Sequence, residues 1–250
     1  IAFVRPFLLE LKMTAKSLFT AFAFASLVMG ASSLQAKTLI VSDVDDTVKM
    51  TDVLGSKPTV VINGLFKEKA FAGMSELYNE MAKTEETDVY YVSGSPKMIR
   101  FRVDEFLEEN QFPQRKNLIL KDKMSDDTFE YKTTEIKKLI AQLNPDKVIL
   151  IGDDTEYDPE VYKHIQEVHP NLVEAVYIRS VKGRSDVQTS FFSPVEIAAH
   201  EFVDGRLGKE AIGSSLQGFV KQTHDSGIAL KKQYCPKEGI AQLEELKAKV

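Results

Sequence analysis

The chain has 250 residues with 32 basic and 37 acidic side chains, a net charge of −5. Its 43 % hydrophobic and 28 % charged residues exclude a predominantly disordered chain and allow one domain with a core of its own, while the acidic balance removes the electrostatic basis for binding nucleic acid. Cys235 is the only cysteine, which excludes an internal disulfide.

The first segment in chain order reads as an export signal. Lys16 precedes an apolar run from Leu18 to Met29, and small residues follow up to Ala36, the three-part pattern of a secretory leader. The run falls short of the ~20 residues that span a bilayer, which weighs against the alternative of an uncleaved anchor. Residues 1–36 are therefore expected to be a signal peptide, with cleavage after Ala36 or, as the rival position, Ser33. Residues 1–12 precede Met13 and are expected to lie upstream of the true start. A chain cut after Ala36 keeps 29 basic and 36 acidic residues, a net of −7, and is expected in the periplasm or outside the cell.

Five short apolar runs come next: Thr38–Ser42, Val89–Val92, Asn117–Leu120, Lys147–Ile151 and Ala175–Ile178. They are nearly continuous where a half-exposed strand would alternate, so they read as strands buried on both faces. Helical stripes separate them. Ile99, Val103, Phe106 and Leu107 share one face, as do Ile136, Leu139, Ile140 and Leu143. Gly73 to Lys83 reads as the crossover helix between the first two strands. Asp158-Pro159 reads as the cap and first turn of another helix, and Pro194 opens one through Val203. Strands alternating with helices predict an α/β fold, a parallel sheet of about five strands with helices on both faces. The link between the first two strands is long, about 45 residues. Its first half, Met50–Ala70, mixes Val60, Val61, Ile62, Leu65 and Phe66 with Lys57, Lys67 and Lys69. It reads as a small flap over the site, and equally well as a plain hairpin with its lysines in water. The domain so defined spans 37–210, and 211–250 is expected to form a helical extension.

The chemistry concentrates at the ends of these strands. Asp43-Val44-Asp45-Asp46-Thr47 directly follows the first strand, and Gly152-Asp153-Asp154-Thr155-Glu156-Tyr157-Asp158 follows the fourth. Ligands of open α/β sheets bind at the carboxyl ends of strands. Two acidic clusters there would repel each other without a cation between them, and hard carboxylate oxygens suit Mg2+. Asp43 and Asp45 are two apart, so an extended chain can point both the same way. One carboxylate can attack phosphorus and the other can move the proton of the leaving group. A solvated acidic loop or a calcium site is the plainer alternative. Tyr91-Val92-Ser93-Gly94-Ser95-Pro96 places the Ser93 hydroxyl after the second strand, with Pro96 starting the next helix, so that Ser93 and nearby N–H groups can hold a phosphate oxygen, or Ser93 merely caps that helix. Lys132 opens the helix before the fourth strand, where it can neutralise a phosphate and Asp43.

The order of these parts, nucleophile, hydroxyl, lysine and metal acids on successive strand–helix units, resembles the haloacid dehalogenase superfamily. Asp43-x-Asp45-x-Thr47 is similar to its first motif, Ser93 to its second, Lys132 to its third, and Gly152-Asp153 with Asp158 to its fourth. The resemblance implies a Rossmann-like domain whose first and fourth strands are neighbours. It implies Asp43 as nucleophile and Asp45 as general acid and base. It also implies Mg2+ on the side chains of Asp43 and Asp153 and the backbone carbonyl of Asp45, with Asp158 in support and Asp154 as a further candidate. An acid at Asp45 favours phosphate-ester hydrolysis over the dehalogenases and P-type pumps of the same fold. Within the superfamily the chain looks most like the actin-patch-type phosphatidate phosphatases and their bacterial relatives. The matching stretches are Ser42-Asp-Val-Asp-Asp-Thr-Val-Lys49, Phe71-Ala-Gly-Met-Ser-Glu-Leu-Tyr78, Tyr91-Val-Ser-Gly-Ser-Pro96, Gly152-Asp153 through Asp158-Pro-Glu-Val-Tyr162, and Val176-Tyr-Ile-Arg179. Two departures bear on the substrate: Asp154-Thr155-Glu156 stands where that family tends to carry Ser-Gly-Gln, and Lys97 where it often carries an aromatic residue.

A Mg2+-dependent phosphomonoester hydrolase is the expected function, with phosphatidate or a related lipid phosphate as substrate and peripheral contact with a membrane. The alternatives are an exported phosphatase of small soluble esters, and a non-catalytic Mg2+-binding module for anionic headgroups. His164, His169, His200 and His224 show no metal-ligand spacing and read as structural or surface residues.

Overall fold

The computed structural model describes residues 36–51, 69–83, 86–184 and 186–225. The leader, most of the expected flap and Cys235 lie outside these residues. Six strands form one sheet: β1 (Thr38–Ser42), β2 (Thr87–Pro96), β3 (Leu118–Lys121), β4 (Lys147–Asp153), β5 (Val173–Arg179) and β6 (Thr189–Phe191). Their order is β3-β2-β1-β4-β5-β6, every pair is parallel, and β1 and β4 are neighbours. The helices are α1 (Met74–Met81), α2 (Arg100–Glu109), α3 (Thr128–Leu143), α4 (Asp158–Val168), α5 (Pro194–Val203) and α6 (Lys209–Asp225).

The strands are continuously apolar because both faces are covered. Leu39, Val41, Val148, Leu150, Val176 and Ile178 pack against Ile136, Leu139 and Ile140 of α3 and Val161, Tyr162 and Ile165 of α4. Ile40, Val89, Tyr91, Ile149, Ile151 and Tyr177 face the other way, onto α1, α2 and α5. Alternate residues of one strand thus feed two separate cores, as the two-residue strand period requires.

The sheet has six strands where about five were expected. β6 is a three-residue edge strand whose Thr189 and Ser190 are exposed and only Phe191 is buried, too short and polar to leave an apolar run. Three local readings also shift. Pro96 ends β2 and precedes a 3-10 turn at Lys97–Ile99, with α2 beginning only at Arg100. Lys132 sits in the second turn of α3, which Asp127 caps by accepting the Glu130 N–H at 2.9 Å. Tyr157 is the cap residue of α4, with Asp158 already in its first turn.

Helix α6 packs against α1 and α5. Gln222 Nε2 donates to Glu76 Oε1 at 3.0 Å and Ser214 Oγ to Glu80 Oε1 at 2.8 Å. Gly73, at φ 78°, lets α6 approach: a Cβ there would lie 2.6 Å from the Ser215 carbonyl oxygen. No helix among the described residues is long and apolar enough to cross a membrane.

Register sets the position of the site. Ser42 pairs with Tyr91 on one side and Ile151 on the other, and the Asp43 N–H continues the ladder to the Ile151 carbonyl at 2.9 Å. Asp43, Ser93 and Asp153 therefore emerge together at one lip of the sheet.

Candidate active site

The loop after β1 is a tight turn that aims two carboxylates in different directions. The Val48 N–H bonds the Val44 carbonyl at 3.0 Å and the Asp46 N–H bonds the Lys49 carbonyl at 2.8 Å. Asp46 turns the chain at φ 54°, a left-handed conformation that Asp tolerates better than most residues. Its Oδ1 accepts the Thr51 N–H at 2.9 Å. Behind the loop, Ser42 Oγ donates to the Asp43 carbonyl at 2.6 Å and meets the Tyr78 hydroxyl at 2.7 Å.

Asp43 turns into a pocket of charges. Lys132 Nζ, buried on the inner face of α3, lies 2.7 Å from Asp43 Oδ1 and 2.5 Å from Asp158 Oδ1. Asp153 accepts from Thr47 Oγ1 at 3.0 Å and from the Thr155 N–H at 2.6 Å. Asp158 Oδ2 takes the Asp153 N–H at 3.3 Å. Asp43, Asp153 and Asp158 each place a carboxylate oxygen within 4.8 Å of the others, and all three are buried. Gly152 makes that approach sterically available, since a Cβ there would lie 2.5 Å from Asp158 Oδ2 and 2.7 Å from a ring carbon of Tyr162.

Three carboxylates against one ammonium leave an excess of buried negative charge. Burial, with Asp158, Asp153 and Asp45 nearby, pushes the Asp43 carboxyl well above its ordinary range although Lys132 pulls it down. Burial first, and Asp158 next, push Asp153 up to about 7. Burial alone would lower Lys132, but Asp158 and Asp43 outweigh it and hold the ammonium protonated. Hard oxygen donors with unbalanced charge fit a divalent cation, so the buried triad can hold a metal ion.

Asp45 points away from that pocket, into a cradle of hydroxyls. Thr51 Oγ1 donates to its Oδ1 at 2.8 Å, while Ser93 Oγ and Ser95 Oγ donate to Oδ2 at 3.1 and 2.8 Å. Ser93, expected to hold a phosphate oxygen, thus meets Asp45, and its own Oγ accepts the Ser95 N–H at 3.0 Å. Asp45 is not one of the three carboxylates that converge.

Asp154 and Asp158 are held in different ways. The Asp154 carboxylate gathers the N–H groups of Val181, Lys182 and Arg184 at 2.7, 2.7 and 3.0 Å, so it ties down the loop after β5, whereas Asp158 joins the triad. Lys182 Nζ donates to the Thr155 carbonyl on the same loop pair.

Sequence reasoning missed four residues: Thr47, Thr51 and Ser95 in their contacts, and Arg179. Arg179 is buried at the carboxyl end of β5. Its Nε donates to the Thr47 carbonyl at 3.1 Å and its Nη1 to the Phe192 carbonyl at 3.0 Å, and the guanidinium lies 3.8 Å from the Phe71 ring centroid. The available signal was a charged residue directly after the apolar run Ala175–Ile178, at the same lip as Asp43. The histidines stay outside the site where described: His164 Nε2 meets Lys137 Nζ at 2.9 Å, and His200 lies against Tyr177.

One family model matches the stretch that carries the site. The family described as "Phosphatidate phosphatase APP1, catalytic domain" matches residues 38–180, from the first residue of β1 to just past Arg179. The chain is 27 % identical over 151 residues to phosphatidate phosphatase APP1 of Saccharomyces cerevisiae, covering 56 % of this chain and 25 % of that protein. It is 26 % identical over 151 residues to an uncharacterized Schizosaccharomyces pombe protein, covering 57 % of this chain and 25 % of that one. The chain thus spans about a quarter of the length of these curated relatives. Among solved structures it is similar to the class C acid phosphatase of Bacillus anthracis. Against the tungstate-bound form the identity is 19 % and the TM-score 0.36, and against a second structure of that enzyme 18 % and 0.38. Both cover 61 % of this chain and 68 % of the other.

Proposed function

The chain belongs to the family of the phosphatidate phosphatase APP1 catalytic domain, and from that premise we propose that it is a Mg2+-dependent phosphomonoester hydrolase acting through Asp43. The observation that carries this reading is the division of labour on one loop: Asp43 lies beside Lys132 and the other two acids, while Asp45 is held apart by three hydroxyls.

In this reading a carboxylate oxygen of Asp43 attacks phosphorus. The bond from phosphorus to the ester oxygen breaks, and protonated Asp45 gives its proton to the leaving alkoxide. The product is an aspartyl phosphate on Asp43. Asp45, now ionised, takes a proton from the water that attacks the same phosphorus, so inorganic phosphate leaves and both carboxyls return to their starting states. Lys132 bonds Asp43 Oδ1, holding the nucleophile in place and offsetting charge brought by the phosphoryl group. Ser93 turns one hydroxyl between Asp45 and a phosphoryl oxygen. Asp43, Asp153 and Asp158 would hold the cation, which when bound supplies positive charge to the phosphoryl oxygens.

Phosphatidate, or a related lipid phosphate, is the substrate favoured by the family description, and the leader pattern of residues 1–36 favours an exported enzyme. The test is phosphate release with Mg2+ from phosphatidate vesicles and from a panel of soluble monoesters, for the wild type and Asp43→Asn. We expect a loss of about 10⁴-fold or more in the variant. An active Asp43→Asn protein would remove the nucleophile, and a wild type inert on every monoester would remove the enzyme.

A further inference from the structure

Large apolar side chains stand exposed at the catalytic end of the sheet. Met98 is 80 % exposed, Phe101 64 %, Met124 71 % and Tyr157 50 %. They belong to the segments that leave the carboxyl ends of β2, β3 and β4; β2 and β4 carry Ser93 and Asp153, and the segment after β3 leads into α3, which carries Lys132. These segments touch. Lys97 Nζ, beside Met98, bonds Asp122 Oδ1 at 2.5 Å, two residues from Met124. A Cβ at Gly94 would lie 3.4 Å from both Glu156, the neighbour of Tyr157, and Thr128 at the start of α3. The exposed apolar groups therefore stand on adjoining segments at the lip where Asp45 and Ser95 are half-exposed, which is the mouth of the site. By contrast Val168 is at the far end of α4, and Phe202 and Val203 close α5.

The apolar groups have cationic neighbours. Lys97, paired with Asp122, precedes Met98; Lys123 precedes Met124; and the Arg102 guanidinium, paired with Glu105 at 3.2 Å, lies 5.1 Å from the Phe101 ring centroid. An apolar side chain that can enter the acyl boundary, with a basic group able to stay at headgroup level, is the composition of an interfacial anchor. A tyrosine at the edge of the same surface suits that boundary too.

We propose that Met98, Phe101, Met124 and Tyr157 form a membrane-contact rim that seats the mouth on a lipid bilayer carrying phosphate-monoester headgroups. The rim rests on the reading of Asp43 as the centre of a phosphomonoesterase. The bilayer is favoured over a protein partner by position: a folded partner on this rim would close the mouth, whereas a bilayer presents substrate to it. The contact is by insertion rather than by general attraction, because the chain as a whole is acidic, with a net of −5.

The test compares the wild type with the triple variant Met98→Ser/Phe101→Ser/Met124→Ser and, as a control on a distant patch, Val203→Ser. Binding is read by co-sedimentation with phosphatidylcholine vesicles containing phosphatidate. Activity is read on the same vesicles and on the soluble ester p-nitrophenyl phosphate. The triple variant should lose about tenfold or more in vesicle partition and in kcat/KM on vesicles. It should stay within about twofold of the wild type on the soluble ester, and the control should match the wild type throughout. A triple variant that keeps its vesicle activity relative to the soluble ester, or a wild type that does not sediment with vesicles, overturns the rim. A wild type that binds vesicles but releases phosphate from no ester overturns the catalytic reading and leaves the rim standing.

Discussion

Asp43 and Asp45 are two residues apart on one loop, and their surroundings are built in opposite ways. Asp43 is fully enclosed among charges, with Lys132, Asp153 and Asp158 as neighbours. Asp45 is only half buried and is surrounded by neutral donors, the hydroxyls of Thr51, Ser93 and Ser95. A charge held by buried charges is coupled to the stability of the fold, because removing one partner strands the others. A carboxyl held by hydroxyls near solvent is replaceable at small cost to the fold. The loop thus separates a residue whose environment carries structural energy from one whose environment chiefly sets chemistry.

The largest expected effect breaks the charged side. Lys132→Met leaves three buried carboxylates with no cation, and should cost about 3–5 kcal/mol in urea unfolding with a chelator present. Asp45→Asn should shift that stability by no more than about 1 kcal/mol, yet lower phosphate release by about 10²–10⁴. Equal stability losses in the two proteins would erase the distinction.

A second test uses protons. Burial above all pushes Asp153 from its ordinary value of 3.8 up to about 7 in the fold, and it raises Asp43 as well. Between those values the folded protein holds protons that the unfolded chain has lost, so unfolding releases protons and stability falls as pH rises. The metal-free protein should therefore melt at lower temperature at pH 8 than at pH 5.5. Mg2+ needs ionised ligands, so its stabilising effect should grow over the same interval. A Mg2+-induced shift in Tm that is equal at both pH values in scanning calorimetry would contradict the assignment of Asp153 to the cation site.

Much of this arrangement is legible in the sequence, for identifiable reasons. The bounds of β1 at Thr38–Ser42 and of α5 at Pro194–Val203 are read correctly. The first is buried on both faces and stops at a run of acids. The second begins at Ser193-Pro194, with Glu196 reaching back to the Ser193 N–H at 3.1 Å. That Asp43, Lys132, Asp153 and Asp158 lie together is legible because the ends of neighbouring strands in a parallel sheet, and the loops that leave them, must come close. β6 is not legible, since two of its three residues are exposed and polar. Nor is the role of Arg179: its partner Thr47 lies far away in sequence, and only the register of β5 against β4 brings the guanidinium to that carbonyl. Ser95 and Thr51 share this difficulty, because a hydroxyl carries no pattern until its acceptor is placed. The backbone donors of Asp154 are not legible for the same reason, since they come from the loop after β5.

The smallest expected effect is also the sharpest version of the comparison, because it removes one hydroxyl from each side. Thr47 donates to Asp153 at 3.0 Å and Ser95 donates to Asp45 at 2.8 Å. Thr47→Val keeps the branched shape but leaves a carboxylate of the triad without a donor that orients it. Mg2+ affinity should fall about tenfold, with kcat recovered at saturating Mg2+. Ser95→Ala leaves the triad untouched, so the Mg2+ requirement should not move. Asp45 should lose one of its three orienting contacts, lowering kcat by roughly threefold to tenfold, the kinetic equivalent of one hydrogen bond of about 1 kcal/mol. Titrating Mg2+ against phosphate release in both variants reads the two effects in one experiment. If Ser95→Ala changed the Mg2+ requirement, or Thr47→Val lowered kcat beyond recovery by Mg2+, the two carboxylates would be sharing one environment, and the separation along the loop would not hold.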